Sequence, residues 1–554
     1  METIKKNMLK VRDLIKEYYK NVVSNAVFYL PLIILIFISY SFTVFNRTVF
    51  LDDLAQEVYY GHYNHKLKAL RWGQYLAGRI FSTTKFVPSL NKMFGIIFFV
   101  LTLISIGSLL YFFDQKEEKD VWKYSLFSCV FISYPLITEF FGFFEALTIP
   151  LQFFIVSFVL LYEVLAEKLT KYDHLFAGVL MSFVMSGYES LIFAYITEVF
   201  IVLFFKYVIN NKNNEYKIKD WIHEGFNYAA PLFIALILKY VVGYTILFVT
   251  GLESGSDGNT ALHWFSDGFT SALIRVIFNG YFYVLRGLSF FPITVFVIAL
   301  IIFIIITIKY QKQSKHSLLI SFYLLLSLFS LSLLQGDYLG YRQCQSLHVF
   351  IAYVAYLLYD ELADKRLLKL SLKPVLIILL LFLSLRQSIY THTLFALDNQ
   401  RSDNEAYVIQ NIGYKIYSEF DKNKTVIFCG LYDMGEFINS QIYPNENSLG
   451  GRVERYLKET FGYDEINVPF VISDNVFSVI NWAYYPFYGQ TMYKNMLSYY
   501  GYDININDHL TYDEVKNYTR IAEENNMKPL EVRDFGDYIL VYFGPKTEHT
   551  NWNV

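Results

Sequence analysis

The sequence predicts a polytopic α-helical membrane protein that ends in a small extracytoplasmic α/β domain. Three observations lead there. Hydrophobic residues make up 54% of the 554 residues and charged residues only 18%, against about 25% charged in soluble domains, so much of the surface is built for lipid. Apolar runs close to the ~20 residues that a spanning helix needs recur as far as residue 390. Beyond that point the chain turns rich in Asn, Asp, Glu, Lys and Tyr, with no such run. The net charge of −3 offers nothing to a nucleic acid. Cys129, Cys344 and Cys429 have neither metal nor disulfide spacing.

The elements follow in order. Residues 1–24 carry Lys5, Lys6, Lys10, Arg12, Lys16 and Lys20, with no cleavable signal, so the first apolar run is expected to stay in the membrane. Residues 25–390 hold about eleven spans, at 25–45, 92–113, 121–138, 147–166, 174–188, 189–208, 226–250, 287–308, 317–335, 345–360 and 373–390. Threaded from a cytoplasmic N-terminus, the loops 114–123, 167–173, 206–224, 309–316 and 361–372 fall inside and carry most of the loop lysines and arginines. The short opposite loops 139–146, 188–190 and 336–344 hold only Arg342. An odd number of spans then puts the C-terminus outside.

Two outer loops are long. Loop 46–91 breaks the charge rule with Arg47, Lys66, Lys68, Arg71, Arg79 and Lys85, and its segment 53–81 reads as an interfacial helix. Loop 251–286 continues as an aromatic amphipathic stretch (His263, Trp264, Phe265, Phe269, Arg275, Phe278) and reads as another. Residues 391–554 form the outer α/β domain. Its helices are expected at 404–420 and Asp513–Asn526, and its strands at Thr425–Cys429 and Tyr538–Phe543, the latter after the Phe535-Gly536-Asp537 turn.

Chemistry is sought in the polar residues at the membrane surface. Asp52-Asp53 follows the first span directly. A partly desolvated carboxylate there has its pKa raised toward the working range of a general base; the alternative is that Asp52 caps an interfacial helix and Asp53 favours its N-terminal dipole. Arg71-Trp72-Gly73-Gln74-Tyr75-Leu76-Ala77-Gly78-Arg79, if helical, sets Arg71, Gln74, Tyr75, Gly78 and Arg79 on one face. Two guanidinium forks there suit a phosphate, or else bulk headgroups. Arg342 is either a further phosphate ligand or the partner of Asp337. Trp72, Tyr75, Tyr188 and Glu189 are the expected substrate contacts, although Glu145 and Glu189 also read as helix-packing or capping residues. Glu139, Gln335, Arg386 and Gln387 complete the polar residues at the outer ends of spans. His62 and His65 lack a third ligand, so no metal is expected.

The order of these features resembles the GtrII-like bacterial glucosyltransferases of the serotype-converting type, within the GT-C class of membrane glycosyltransferases. The matching residues are Asp52-Asp53, Trp72 with Gly78-Arg79, Gly187-Tyr188-Glu189-Ser190, Arg342, and Asp398-Asn399-Gln400-Arg401 with Asp403. The resemblance implies a GT-C-like fold in a bacterial plasma membrane and transfer of a sugar from a polyprenyl-phosphate donor to a hydroxyl of a surface polysaccharide, with no cofactor. It makes Asp52 or Asp53 the base, and Arg71, Arg79 and Arg342 the donor-phosphate ligands. A donor with a single phosphate requires no metal. A transporter or flippase of lipid-linked saccharide is the rival class, against which stands the absence of internal repeats in the hydropathy pattern. A purely structural envelope protein would leave Asp52-Asp53 and the basic outer loop without a role.

Overall fold

The computed structural model describes residues 2–46, 48, 64–81, 88–137, 140–141, 147–166, 168–211, 216–255, 263–266, 268–285, 291–311, 314–337, 343–367, 370–421, 423–433, 480 and 489–545. The chain is mostly helical, and it packs into two compact units. One comprises Met1–Val44, Asn64–Phe141 and Glu145–His392; the other comprises Phe45–Tyr63, Gly142–Phe144 and Thr393–Val554.

In the first unit each of the eleven expected apolar stretches overlaps a helix. Among the described residues six helices are long and apolar enough to cross a membrane: Ala26–Phe45, Ser89–Phe113, Thr148–Leu165, Leu191–Ile209, Ile218–Thr250 and Leu372–Glu419. Val121–Ser133, Val295–Gln311 and Ser317–Ser327 are shorter apolar helices. The chain is therefore membrane-associated. Hydroxyls inside the apolar helices return to their own backbone, as when Thr102, Ser105 and Ser108 donate to the carbonyls of Phe98, Leu101 and Ile104. The N-terminal segment is itself a helix, Glu2–Tyr18, that buries Asn7, Val11 and Tyr18.

Polar contacts gather the basic loops on one face of this unit. Asn7 donates to Asp173 at 3.1 Å, Asn210 to the Phe113 carbonyl at 3.1 Å, and Lys123 pairs with Asp360 at 2.9 Å. Lys373 reaches Asp120 at 2.6 Å, Lys309 pairs with Glu361, and the His316 ring meets the Tyr216 carbonyl at 3.0 Å. The loops that the charge pattern groups together are therefore neighbours in space.

Two boundaries differ from expectation. The last span and the following helix are one uninterrupted helix, Leu372–Glu419, because residues 391–403 contain neither Gly nor Pro to break it. Segment 53–81 supplies two short helices, Asn64–Lys68 and Trp72–Ile80, separated where Leu70 takes a left-handed φ of 58°. Part of loop 251–286 forms the helices His263–Ser266 and Phe269–Leu285.

The described part of the second unit centres on a three-stranded sheet. Tyr538–Tyr542 lies in the middle, parallel to Thr425–Cys429 and antiparallel to Glu531–Asp534. Alternation along the strands sends Val426, Phe428, Ile539 and Val541 to a core shared with Ile409, Ile412 and Ile416 of the long helix. Ile427, Cys429, Leu540 and Tyr542 face Val515 and Ala522 on the other side. The helix Tyr512–Glu524 starts at a Thr511–Glu514 capping box.

Candidate functional site

The short helix Trp72–Ile80, which carries several of the candidates, packs on the turn between Lys171–Met185 and Leu191–Phe204 that holds Tyr188 and Glu189. A glycine makes the approach close. A Cβ on Gly73 would stand 2.3 Å from the Phe183 carbonyl oxygen and 2.5 Å from Ser186 Oγ, and the Gly73 amide donates to the Ser186 carbonyl at 3.1 Å. Gly73, Gln74, Ala77 and Gly78 form the buried face, whereas Arg79 is exposed and lies 5.4 Å over the Tyr75 ring.

The expected single face of five residues is thus divided. Gln74 and Gly78 pack inward; Tyr75 and Arg79 lie toward the outside. Arg71 stands before the helix, at φ −92° and ψ 47°, with its amide on the Lys66 carbonyl at 2.7 Å.

Trp72 carries the connection onward. Its Nε1 donates to the Lys239 carbonyl at 3.2 Å, and its ring meets Phe183 edge-on at 6.4 Å. Lys239 is buried inside Ile218–Thr250, and its ammonium pairs with Glu189, whose side chain is 57% exposed. Glu189 is therefore the counter-ion of a buried lysine, and Trp72 and Glu189 share one neighbour. Tyr188 is half-buried with its ring 6.5 Å from Phe140, and Ser190 donates to Gln345 at 3.0 Å. Beneath the turn, Gly187 leaves room for the Gln152 amide, which would clash with any Cβ there. Both polar atoms of Gln152 are buried without a partner.

Asp52, Asp53, Arg342, Glu139 and Glu145 lie outside the described residues, as do His62 and Gly340-Tyr341. Asp337 is 3.4 Å from Arg275 Nε and 3.5 Å from the His263 ring, so the segment 263–285 is tied to the end of Ser330–Gln335. Gln387 is fully buried and accepts from Ser133 at 3.1 Å, whereas Arg386 is exposed. Among the described residues no three of His, Cys, Asp and Glu gather as a metal-binding group.

Several polar residues here were not singled out from the sequence. Lys239 is a lone charge in the apolar run 226–250, which is itself a signal. Glu163 and Glu198 are buried acids in apolar helices, accepting from Tyr195 at 2.5 Å and Ser157 at 2.8 Å. In the second unit Arg401, which the resemblance did pick out together with Asp398, is fully buried, 2.8 Å from Asp398 and 2.6 Å from Glu405. Burial alone would lower the Arg401 pKa, but the two carboxylates outweigh it and hold the guanidinium above its usual value.

A family model described as glucosyl transferase GtrII matches residues 41–359, more than half of the chain. No curated protein and no solved structure matches it.

Proposed function

The chain belongs to the GtrII glucosyl transferase family and so transfers a glycosyl group; from that membership we propose that it moves glucose from a polyprenyl-phosphate donor to a hydroxyl of a surface polysaccharide. Transfer takes place on the outer face of a bacterial plasma membrane. The carrying observation is the family match, which spans Asp52-Asp53, the Arg71–Arg79 segment, Tyr188-Glu189 and Arg342 in one continuous stretch.

In this reading Asp52 or Asp53 accepts the proton of the acceptor hydroxyl as its oxygen attacks the anomeric carbon. The bond from that carbon to the phosphate oxygen breaks with its electron pair, and polyprenyl phosphate leaves. Direct displacement inverts the anomeric configuration. Arg71, Arg79 and Arg342 stabilise the charge that grows on the leaving phosphate. Trp72, Tyr75 and Tyr188 contact the substrates, with Glu189 acting through Lys239. Residues 391–554 form an outer domain that helps to hold the acceptor. The docking of Trp72–Ile80 through Gly73, and the shared contact of Trp72 and Glu189 with Lys239, support a common role for these segments.

The test uses the purified full chain in detergent with a panel of polyprenyl-phosphate sugars, comparing the parent with Asp52→Asn and Asp53→Asn. Loss of transfer by one variant, with melting temperature and donor binding unchanged, identifies the base. Transfer by both variants at the parent's rate would move the base elsewhere. A parent inactive with every donor would hand the case to lipid-linked saccharide transport.

A further inference from the structure

Within the second unit the long helix Leu372–Glu419 has two unlike faces. One carries Ile409, Ile412 and Ile416 into the sheet core. The opposite face repeats tyrosine: Tyr407 is 69% exposed, Tyr414 66% and Tyr417 51%. Tyr407 and Tyr414 are one heptad apart, so their directions differ by only about 20°. Gln400, Asp403, Gln410 and Asn411 are exposed beside them, and Asp403 accepts from Asn399 at 2.8 Å. Tyrosine does nothing for the helix here, since it is a poorer helix former than the Lys, Glu or Gln usual on a solvent face.

Lipid does not account for these rings. At about 1.5 Å per residue, Tyr407 and Tyr414 stand roughly 25 and 36 Å along the helix beyond residue 390, where the apolar run ends. Tilted by about 40°, the top of the usual range, Tyr407 would still be about 19 Å out. The interfacial layer of a bilayer is only about 5–8 Å deep, too thin for an aromatic belt to reach that far. Charge does not account for them either. The two basic residues of 399–419 leave the stripe: Arg401 is buried between Asp398 and Glu405, and Lys415 acts on the Glu531 carboxylate. Nothing there attracts a polyanion. Flat rings flanked by amides, hydroxyls and a carboxylate suit a pyranose. Its C–H face lies on a ring, and its hydroxyls reach donors and acceptors on either side.

We propose that this stripe holds a neutral glycan strand, the acceptor polysaccharide of the transfer proposed above, and the inference rests on that reading. Sugars of the strand stack on Tyr407 and Tyr414, roughly 10 Å apart along the helix. Asp403, Gln410 and Asn411 bond their hydroxyls. Phe45–Tyr63, the segment with Asp52-Asp53, groups with this same unit, so the strand and the base belong to one body.

The test is an array of neutral oligosaccharides and bacterial surface polysaccharides, probed with the full chain in lipid nanodiscs and no donor present. The parent is expected to bind at least one extended glycan. Tyr407→Ala with Tyr414→Ala should lower that apparent affinity by about tenfold, whereas Tyr407→Phe with Tyr414→Phe should keep most of it. Lys415→Ala, off the stripe, should bind as the parent does. Both tyrosine pairs should melt with the parent, because the rings are exposed. A parent that binds no glycan overturns the proposal, as does unchanged binding by the alanine pair. A dimer of the parent that the alanine pair loses would also overturn it, with a second copy as the occupant. The transfer reading is judged apart. If the parent transfers sugar and the alanine pair keeps its acceptor KM, the stripe proposal alone falls. Glycan binding by a parent inactive with every donor would strike the transfer reading and leave the stripe a glycan site.

Discussion

Removing either half of the Lys239–Glu189 pair should have unequal consequences. The two side chains are not equally hidden: 7% of Lys239 is exposed against 57% of Glu189. Glu189→Gln leaves an ammonium inside an apolar helix with its counter-charge gone. Loss of one partner from a fully buried pair costs about 3–5 kcal/mol. Water already screens the exposed glutamate, and glutamine can still accept a hydrogen bond, so about 2 kcal/mol is the reasoned loss here. Lys239→Met keeps the stem's packing and leaves a carboxylate that water solvates, at about 0–1 kcal/mol.

Lys239→Met together with Glu189→Gln should resemble Lys239→Met alone, because once the ammonium is gone the carboxylate has nothing to balance. The Lys239 carbonyl that receives Trp72 Nε1 is untouched by either change. Thermal unfolding in detergent, followed by intrinsic fluorescence, reads the difference. At about 2 °C per kcal/mol, Glu189→Gln lowers Tm by about 4 °C and Lys239→Met by at most about 2 °C. If Lys239→Met proves as damaging as Glu189→Gln, or if the two losses simply add, the buried-charge account is wrong.

Other expectations follow from single contacts. Gly73→Ala drives a methyl into the Phe183 carbonyl, which as backbone cannot swing away, so a loss of about 1–3 kcal/mol is expected in the same melt. Gly225→Ala, with open space, should stay within about 0.5 kcal/mol of the parent. Arg401→Met would strand Asp398 and Glu405 in a core at a cost of about 3–5 kcal/mol, seen as earlier proteolysis of the region after residue 393. Burial alone would raise the Asp173 pKa, but hydrogen bonds from Thr170, Tyr162 and Asn7 hold it below the usual aspartate value. A carboxyl depressed on folding stabilises above its unfolded pKa and loses that contribution as pH falls through its folded one. Melts in increasingly acidic buffer should therefore drop for the parent and drop less for Asp173→Asn, which starts lower.

What the sequence made legible is what solvent dictates. A long apolar run must close its own hydrogen bonds in lipid, which is why 25–45, 92–113 and 226–250 fall on helices whatever they pack against. The sheet strand Thr425–Cys429 was equally plain, since alternation and its flanking turns are local. The 391–403 segment turns polar, so composition alone places a boundary between the span 373–390 and the helix 404–420. Yet the i,i+4 contacts Asn399–Asp403 at 2.8 Å and Arg401–Glu405 at 2.6 Å belong to a helix that never stops.

The candidate site was harder because its geometry depends on partners far along the chain. A periodic reading of 71–79 assumes that the helix begins before Arg71 and that its polar stripe faces the ligand. Instead the left-handed Leu70, itself packed against Gly243, ends one short helix, and Arg71 stands between two. Which side of Trp72–Ile80 turns inward is set at Gly73, where the backbone comes closer to the Phe183 carbonyl than a Cβ would allow. That choice puts Gln74 and Gly78 in the packing and leaves Tyr75 and Arg79 toward the outside. Nothing within nine residues could reveal it, since the deciding atom lies 110 positions later. Lys239 is the opposite case: a lone cation in an apolar run needs a counter-charge wherever the fold can supply one. Glu189, already picked out by the resemblance, supplies it. Lone charges in apolar runs therefore locate a site's supporting contacts more reliably than the periodicity of its polar segments does.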